Sequence, residues 1–333
     1  MKALVPYILV FLVKVFDTAA GREPEFILVT TATDVEAISV TTGRQTSLVG
    51  SLFNAITVDY DYAKNQIFFN EEDRNQIYVV KSNISATNYL YTTTSPEVIL
   101  NYTNLADGIA YDWVHKVLYW TDAGKDTIEL LTMKRRQHLT IIDTNLYSPK
   151  GIAVDPRDDQ KWVYWTDWFK KPRIEKAGLD GSHRTLVVAT NLGWPNYLAI
   201  DFADNRLFWT DEKLDSISSS DLNGQNVRVV LSDARFTRNP YSLDILGDMV
   251  YWDAWQNNEI YEANKYNGSM NVRTIARTTR NTLGLRMYHR SRQPKGSDPC
   301  GVINGGCSHI CLAAPVIGSS TNKFSCLCPD TGC

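Results

Sequence analysis

The chain has 333 residues, 44% of them hydrophobic, with a net charge of −3 and a pI of about 6.0. That length buries a sizeable core and leaves room for more than one domain. The charge balance excludes the basic stripe of a nucleic-acid binder, so no nucleic-acid partner is expected.

Residues 1–20 read as a signal peptide. Lys2 is its positive start, Ala3 to Val13 its apolar stretch, and Thr18-Ala19-Ala20 its small-residue cleavage site. Lys14 and Asp17 end the apolar run well short of the roughly 20 residues that cross a membrane. No later stretch is long and apolar enough to span. The expectation is a secreted chain, or part of a larger receptor held at the extracellular face of the plasma membrane.

Phe26 to Val40 (FILVTTATDVEAISV) reads as an aromatic and apolar strand, a turn and an alternating strand. A repeat follows. Tyr119-Trp120-Thr121-Asp122 recurs as Tyr164-Trp165-Thr166-Asp167 and Phe208-Trp209-Thr210-Asp211. Phe68-Phe69-Asn70-Glu71 precedes these copies, and Tyr251-Trp252-Asp253-Ala254 follows them. Spacing of roughly 40–50 residues with β-branched and aromatic strands fits a four-stranded propeller blade.

Each copy carries the same local grammar. Upstream lies an apolar strand ending in Asp: Ile56–Asp59, Ile109–Asp112, Ile152–Asp155, Leu198–Asp201 and Ser242–Asp244. Downstream come an alternating strand, a Gly turn and a closing strand, as in Leu222-Asn223-Gly224 before Val227–Leu231. The motif residues recur from copy to copy, so its aspartates read as structural rather than catalytic. The motif aromatics fill the wedges between blades. Five motif copies and the Phe26–Val40 segment make six blades. Closure pairs that segment with strands near Leu283–Tyr288, which removes exposed sheet edges. The fold expected is all-β, a six-bladed propeller over residues 24–292.

Sequons at Asn83, Asn101 and Asn267 fit the secretory route and predict glycosylation there. All six cysteines lie between Cys300 and Cys333. In a secreted chain that density implies disulfides rather than catalytic thiols. Paired C-x-x-C knuckles are missing and His309 is the only nearby histidine, which argues against zinc. No metal and no other cofactor is expected.

The motifs resemble the YWTD propeller of the low-density lipoprotein receptor family. The resemblance rests on Tyr164-Trp165-Thr166-Asp167-Trp168, Pro172 to Gly181, Trp194-Pro195-Asn196, Gln293-Pro294, and Asn304 to Leu312 (NGGCSHICL). Asp298-Pro299-Cys300-Gly301 and Asn264 to Gly268 are most similar to the first propeller unit of the Wnt co-receptor branch.

That resemblance implies an EGF-like module over 296–333, with Cys300 paired to Cys311 and Cys307 to Cys326. For Cys328 and Cys333 it leaves open both a short bridge and a truncated module. It implies an extracellular ligand-binding module holding a protein on one propeller face. The partner would be a Wnt-type ligand, a Wnt antagonist or an Asn-motif peptide, and a secretory-pathway propeller chaperone would assist folding. The other readings are a lipoprotein or endocytic receptor fragment and a laminin-binding matrix protein.

The family pattern carries a ligand role onto Asp107, Lys150, Trp168, Trp194, Asn196 and Trp255. Asn196 would hydrogen-bond the ligand's Asn, Asp107 and Lys150 would frame the peptide, and the three tryptophans would form an apolar wall. The family's first blade presents basic residues where this chain has Thr31-Ala32-Thr33, and Phe53-Asn54 stands for an acidic pair. The ligand face is thus less charged than in the Wnt co-receptors. The residues support the same assignment independently. The tryptophans sit at strand ends and in a Gly-Trp-Pro loop, where rigid scaffolds present binding residues.

An enzyme would need converging titratable groups. His115, His138, His183, His289 and His309 are scattered, and neither G-x-S-x-G nor H-E-x-x-H occurs. A non-enzymatic binder is expected.

Overall fold

The structure is a computed structural model that describes residues 25–84, 92–255, 257–268, 271–318 and 323–333. The signal-peptide reading of residues 1–20 and the Asn83 side chain lie outside the described residues. Apart from two short 3-10 turns, the regular structure among those residues is β.

Six antiparallel sheets form the blades. Blade 1 opens with the inner strand Val58–Asp61, followed by Gln66–Glu71, Gln76–Asn83 and Glu97–Asn101. Blade 2 is Ala106–Asp112, Val117–Asp122, Thr127–Thr132 and His138–Ile142. Blade 3 is Pro149–Asp155, Trp162–Asp167, Arg173–Gly178 and Thr185–Val188. Blade 4 is Pro195–Asp201, Arg206–Asp211, Ser216–Asp221 and Arg228–Leu231. Blade 5 is Pro240–Leu246, Met249–Ala254, Glu259–Asn264 and Arg273–Arg277.

Blade 6 is built from both ends of the ring. Its inner strand Thr282–Tyr288 pairs with Phe26–Thr31, and Asp34–Ser39 and Gln45–Gly50 complete it. Closure through Leu283–Tyr288 is therefore as the sequence predicts. The upstream strands differ in their bounds. That of blade 1 begins at Val58 rather than Ile56, because Asn70 Oδ1 takes the Ile56 and Thr57 N–H groups at 3.0 Å.

The alternation of the motif strand explains the packing. Its first aromatic faces the next blade and its second faces the previous one. Tyr119 and Trp165 thus meet between blades 2 and 3, Tyr164 and Trp209 between 3 and 4, and Phe208 and Trp252 between 4 and 5. Phe69 packs with Leu28 across the seam from blade 6 to blade 1. Trp120, Trp165, Trp209 and Trp252 are all buried. At roughly 25 cal/mol per Å² of apolar area, these wedges carry much of the stability.

The Gly turns do more than reverse the chain. Gly224 has φ +81°, and a Cβ there would collide with the Val187 carbonyl oxygen of the preceding blade. The turn lets one backbone lie against the next.

The C-terminal module docks under blades 2 and 3. Its hairpin, Ile310–Ala313 with Phe324–Leu327, places Ile310, Leu312 and Ala313 in the cluster that holds Tyr119 and Leu179. Thr140 donates to Asp330, and the Asp330 N–H donates to the His138 carbonyl. Disulfides join Cys300–Cys311, Cys307–Cys326 and Cys328–Cys333. The last is the short bridge.

Between propeller and module, the linker seals one end of the central channel. Arg292 donates to the Ile200 carbonyl at 2.8 Å and to Asp244 at 2.5 Å. Gln293 donates to the Tyr60 carbonyl and accepts from the Tyr62 N–H. Trp113 donates to the Pro294 carbonyl at 2.7 Å. A cavity of about 50 Å³ remains above this plug, lined by Asp59, Tyr111, Arg286 and Arg292 among others.

Candidate functional site

The opposite end of the channel carries every residue singled out for ligand binding. Their placement follows from the motif. In each of blades 2 to 5 the inner strand begins with a β-bulge opposite the motif's third residue. The bulges hold Asp107, Lys150, Asn196 and Tyr241. A bulge re-aims a side chain that regular pairing would direct into the sheet.

The motif's third residue locks each bulge. Thr121, Thr166 and Thr210 accept from the N–H groups of Gly108, Gly151 and Tyr197. The same hydroxyls donate onward to the carbonyls of Lys150, Asn196 and Tyr241 in the next blade. Thr30 and Asn70 make the equivalent links to Ile56 and Ala106.

In blades 2 to 4 the motif's fourth residue anchors the loop before the bulge. Asp122 accepts from Asn104 and Leu105, Asp167 from Tyr147, and Asp211 from Gly193 and Trp194. Burial pushes the Asp167 carboxyl up to about 6, opposed by the nearby Arg173 guanidinium.

The three tryptophans lie in two groups on this face. Trp168 and Trp194 meet edge to face, with ring centres 6.0 Å apart. Trp168 also donates to Ser148 Oγ at 3.0 Å, which fixes its indole. Trp255 stacks obliquely on Tyr241, which contacts Tyr197. Lys150 joins the two halves. Its ammonium lies 4.9 Å from the Trp168 ring centre and 5.6 Å from that of Tyr241.

Exposure divides these residues into rim and floor. Trp194 and Trp255 are 41% and 39% exposed, and Trp168 and Lys150 are half-buried. Asn196 is only 1% exposed and Asp107 only 7%, so both form a floor rather than the contact surface itself. The Asn196 amide donates to Glu212 at 3.0 Å, while its Oδ1 is buried with no partner among the described residues. Burial raises the pKa of Asp107, and the Lys150 ammonium opposes that rise. Burial also raises the pKa of Glu72, and the charge of Asp107 adds to it. Tyr197 spans the channel beneath, donating to the Asp107 carbonyl at 2.7 Å.

Tyr241, Glu72, Glu212 and Ser148 were not singled out from the sequence. Tyr241 had a signal. It follows Pro240 as Lys150 follows Pro149 and Asn196 follows Pro195. Glu72 and Glu212 each follow the motif's fourth position directly. Of the predicted glycosylation sites, Asn101 and Asn267 are both exposed.

The family model described as low-density lipoprotein receptor repeat class B matches residues 116–156, 161–202 and 205–243. The low-density lipoprotein receptor-related protein 8 of Gallus gallus is 35% identical over 317 residues, covering 94% of this chain and 34% of that protein. The vitellogenin receptor Yl of Drosophila melanogaster is 30% identical over 284 residues, covering 85% of this chain and 13% of that protein. The chain thus spans about a third or less of either relative.

Among solved structures, one titled as a nidogen/laminin complex matches with a TM-score of 0.70 at 20% identity, over 80% of this chain and 98% of that one. TolB from Acinetobacter baumannii matches at 0.59 and 12%, over 79% of this chain and 65% of that one. At such identities the two likenesses show the propeller fold alone.

Proposed function

For a chain that carries low-density lipoprotein receptor class B repeats and is homologous to receptors of that type, we propose an extracellular module that holds a protein ligand on its unplugged propeller face. One observation carries this reading. Trp168, Trp194 and Trp255 rim a floor that contains an unpartnered buried acceptor, Asn196 Oδ1. A buried acceptor without a partner is costly, and a ligand N–H that reaches it recovers that cost. Clustered tryptophans supply the apolar anchor. The other channel end is closed by Arg292 and Gln293, so the ligand approaches from the tryptophan side.

In this reading the ligand presents an extended segment with an Asn side chain toward Asn196, and Glu212 shifts to admit it. Lys150 keeps the Asp107 carboxylate compensated. The module binds and does not catalyse, since the motif's polar side chains are engaged by backbone groups. Folding uses a secretory-pathway propeller chaperone. The finer assignment is a Wnt-type ligand or antagonist. A second reading, lipoprotein or vitellogenin capture, is favoured by the likeness to a low-density lipoprotein receptor-related protein and to a vitellogenin receptor.

The test is titration of the secreted chain with a short Asn-x-Ile peptide. Trp168→Ala and Asn196→Ala are each expected to weaken binding at least about tenfold, the change that 1.4 kcal/mol produces. Equal affinity of parent and variants overturns the site. Parallel titration with a Wnt antagonist and with lipoprotein particles separates the two readings.

A further inference from the structure

The rim between blades 1 and 2 carries a second concavity, on the strand that ends in the sequon Asn101-Tyr102-Thr103. Its volume is about 550 Å³, within the roughly 300–1,000 Å³ typical of small-molecule clefts. Gln76, Asn75, Asn104 and Asn101 bring amides to its wall, and Tyr102 forms part of it. Tyr102 is 87% exposed and has φ +75°, in the left-handed region that a bulky side chain rarely adopts. Its ring enters none of the described ring contacts.

We propose that this groove holds the first sugars of an N-glycan on Asn101, with the Tyr102 ring as the stacking face. Three features favour a neutral sugar in that position. Gln76 donates to Asn101 Oδ1 at 2.6 Å, which orients the amide and leaves its Nδ2 for the glycosidic bond. The two cations of the groove are already engaged. Arg74 pairs with Glu71 at 3.0 Å, and Lys125 pairs with Glu129 at 3.2 Å and Asp122 at 3.4 Å. The wall is thus rich in hydrogen-bonding groups without excess charge, which suits hydroxyl and acetamide groups better than an anion. Finally, an exposed aromatic face attracts the polarised C–H bonds of a sugar ring.

Beside Asn267 the neighbouring ring is already engaged. Tyr266, beside Asn267, donates to Asp204 at 2.7 Å, and the Lys265 ammonium lies 5.1 Å from its ring centre. In the attachment step, Asn101 Nδ2 forms a bond to the anomeric carbon of an N-acetylglucosamine and loses one proton. The donor is a polyprenyl-diphosphate-linked oligosaccharide, whose diphosphate leaves with the electron pair. The proposal rests on the extracellular reading above.

The test uses the full chain secreted from animal cells. Peptide mapping first establishes occupancy at each sequon. Thermal melts then compare the intact glycoprotein, a form trimmed to one N-acetylglucosamine per site, and a fully deglycosylated form. Full removal is expected to lower Tm by roughly 2–4 °C, the shift of a modest contact in a domain of this size. The trimmed form should retain most of that difference. In Tyr102→Ala the three forms should melt together, and in Tyr102→Phe the difference should persist. An unmodified Asn101, or a deglycosylation effect unchanged in Tyr102→Ala, overturns the proposal. Glycan missing at Asn101 in a secreted chain overturns the proposal and leaves the extracellular reading standing, whereas a chain that fails to reach the medium removes both.

Discussion

Blades 2 to 4 and blade 5 reach the same geometry with different chemistry. In blades 2 to 4 a Thr hydroxyl both closes its own bulge and donates to the next blade, and an Asp anchors the preceding loop. In blade 5 these positions are Asp253 and Ala254. Asp253 Oδ1 accepts from the Ser242 N–H at 2.7 Å, but its buried Oδ2 has no partner among the described residues. Ala254 anchors nothing, so Asp215 of blade 4 holds the loop by accepting from the Asn239 N–H. Trp252 adds a bond to the Phe236 carbonyl, whereas the indole N–H groups of Trp120 and Trp165 have no partner among the described residues. A propeller joint therefore needs its loop tied and its bulge closed, and which residue performs each task is interchangeable.

Breaking the regular arrangement should have the largest effect. Asp211→Ala leaves the Gly193, Trp194 and Leu214 N–H groups without their carboxylate. The expected loss is about 3–5 kcal/mol in urea unfolding, with ligand binding falling as the Trp194 loop loosens. A loss below about 1 kcal/mol would show that the anchor is dispensable in blade 4 as it is in blade 5.

The converse change should stabilise. Burial pushes the Asp253 carboxyl up to about 6. The unfolded value is about 3.9, so the fold binds the extra proton between about pH 4 and 6. Stability from this group therefore falls as pH rises through that window, and the chain carries the cost above it. Asp253→Asn removes the charge and supplies a donor, the chemistry of Asn70 in blade 1. A gain of about 2 kcal/mol is expected at pH 7.5, vanishing near pH 4. Melts of the variant and parent at both pH values check it, and an equal gain at the two would exclude the titration. Smallest should be Thr166→Val, which removes the bonds to Gly151 and the Asn196 carbonyl at similar volume. A loss of about 1–2 kcal/mol is expected, again by urea unfolding.

The ring and its closure were legible because the motif repeats and because the Phe26–Val40 segment supplies only part of a sixth blade, which strands near Leu283–Tyr288 complete. The site was legible only in part. Tryptophans at strand ends announce themselves, but burial depends on neighbouring blades, so the sequence could not assign Asn196 and Asp107 to a floor. Glu72 and Glu212 share one position after the motif, but that register alone does not say which loops carry an acid into the site. The plug was hidden for the same reason. Gln293 and Pro294 were recognisable as family residues, but Arg292's partners lie at Ile200 and Asp244.

That plug has a mechanical consequence. Phe26 sits opposite Tyr288, so both ends of the ring leave from the same end of the closing strand pair. Tension applied across those ends would peel the pair open one hydrogen bond at a time, the weakest way to load a sheet. The chain beyond Tyr288 first passes through Arg292 and Gln293, which hold blades 1, 4 and 5, and Pro294, which holds blade 2. Pulling on the C-terminal side is thereby shared among four blades at the axis, and the seam is spared until the clamp yields.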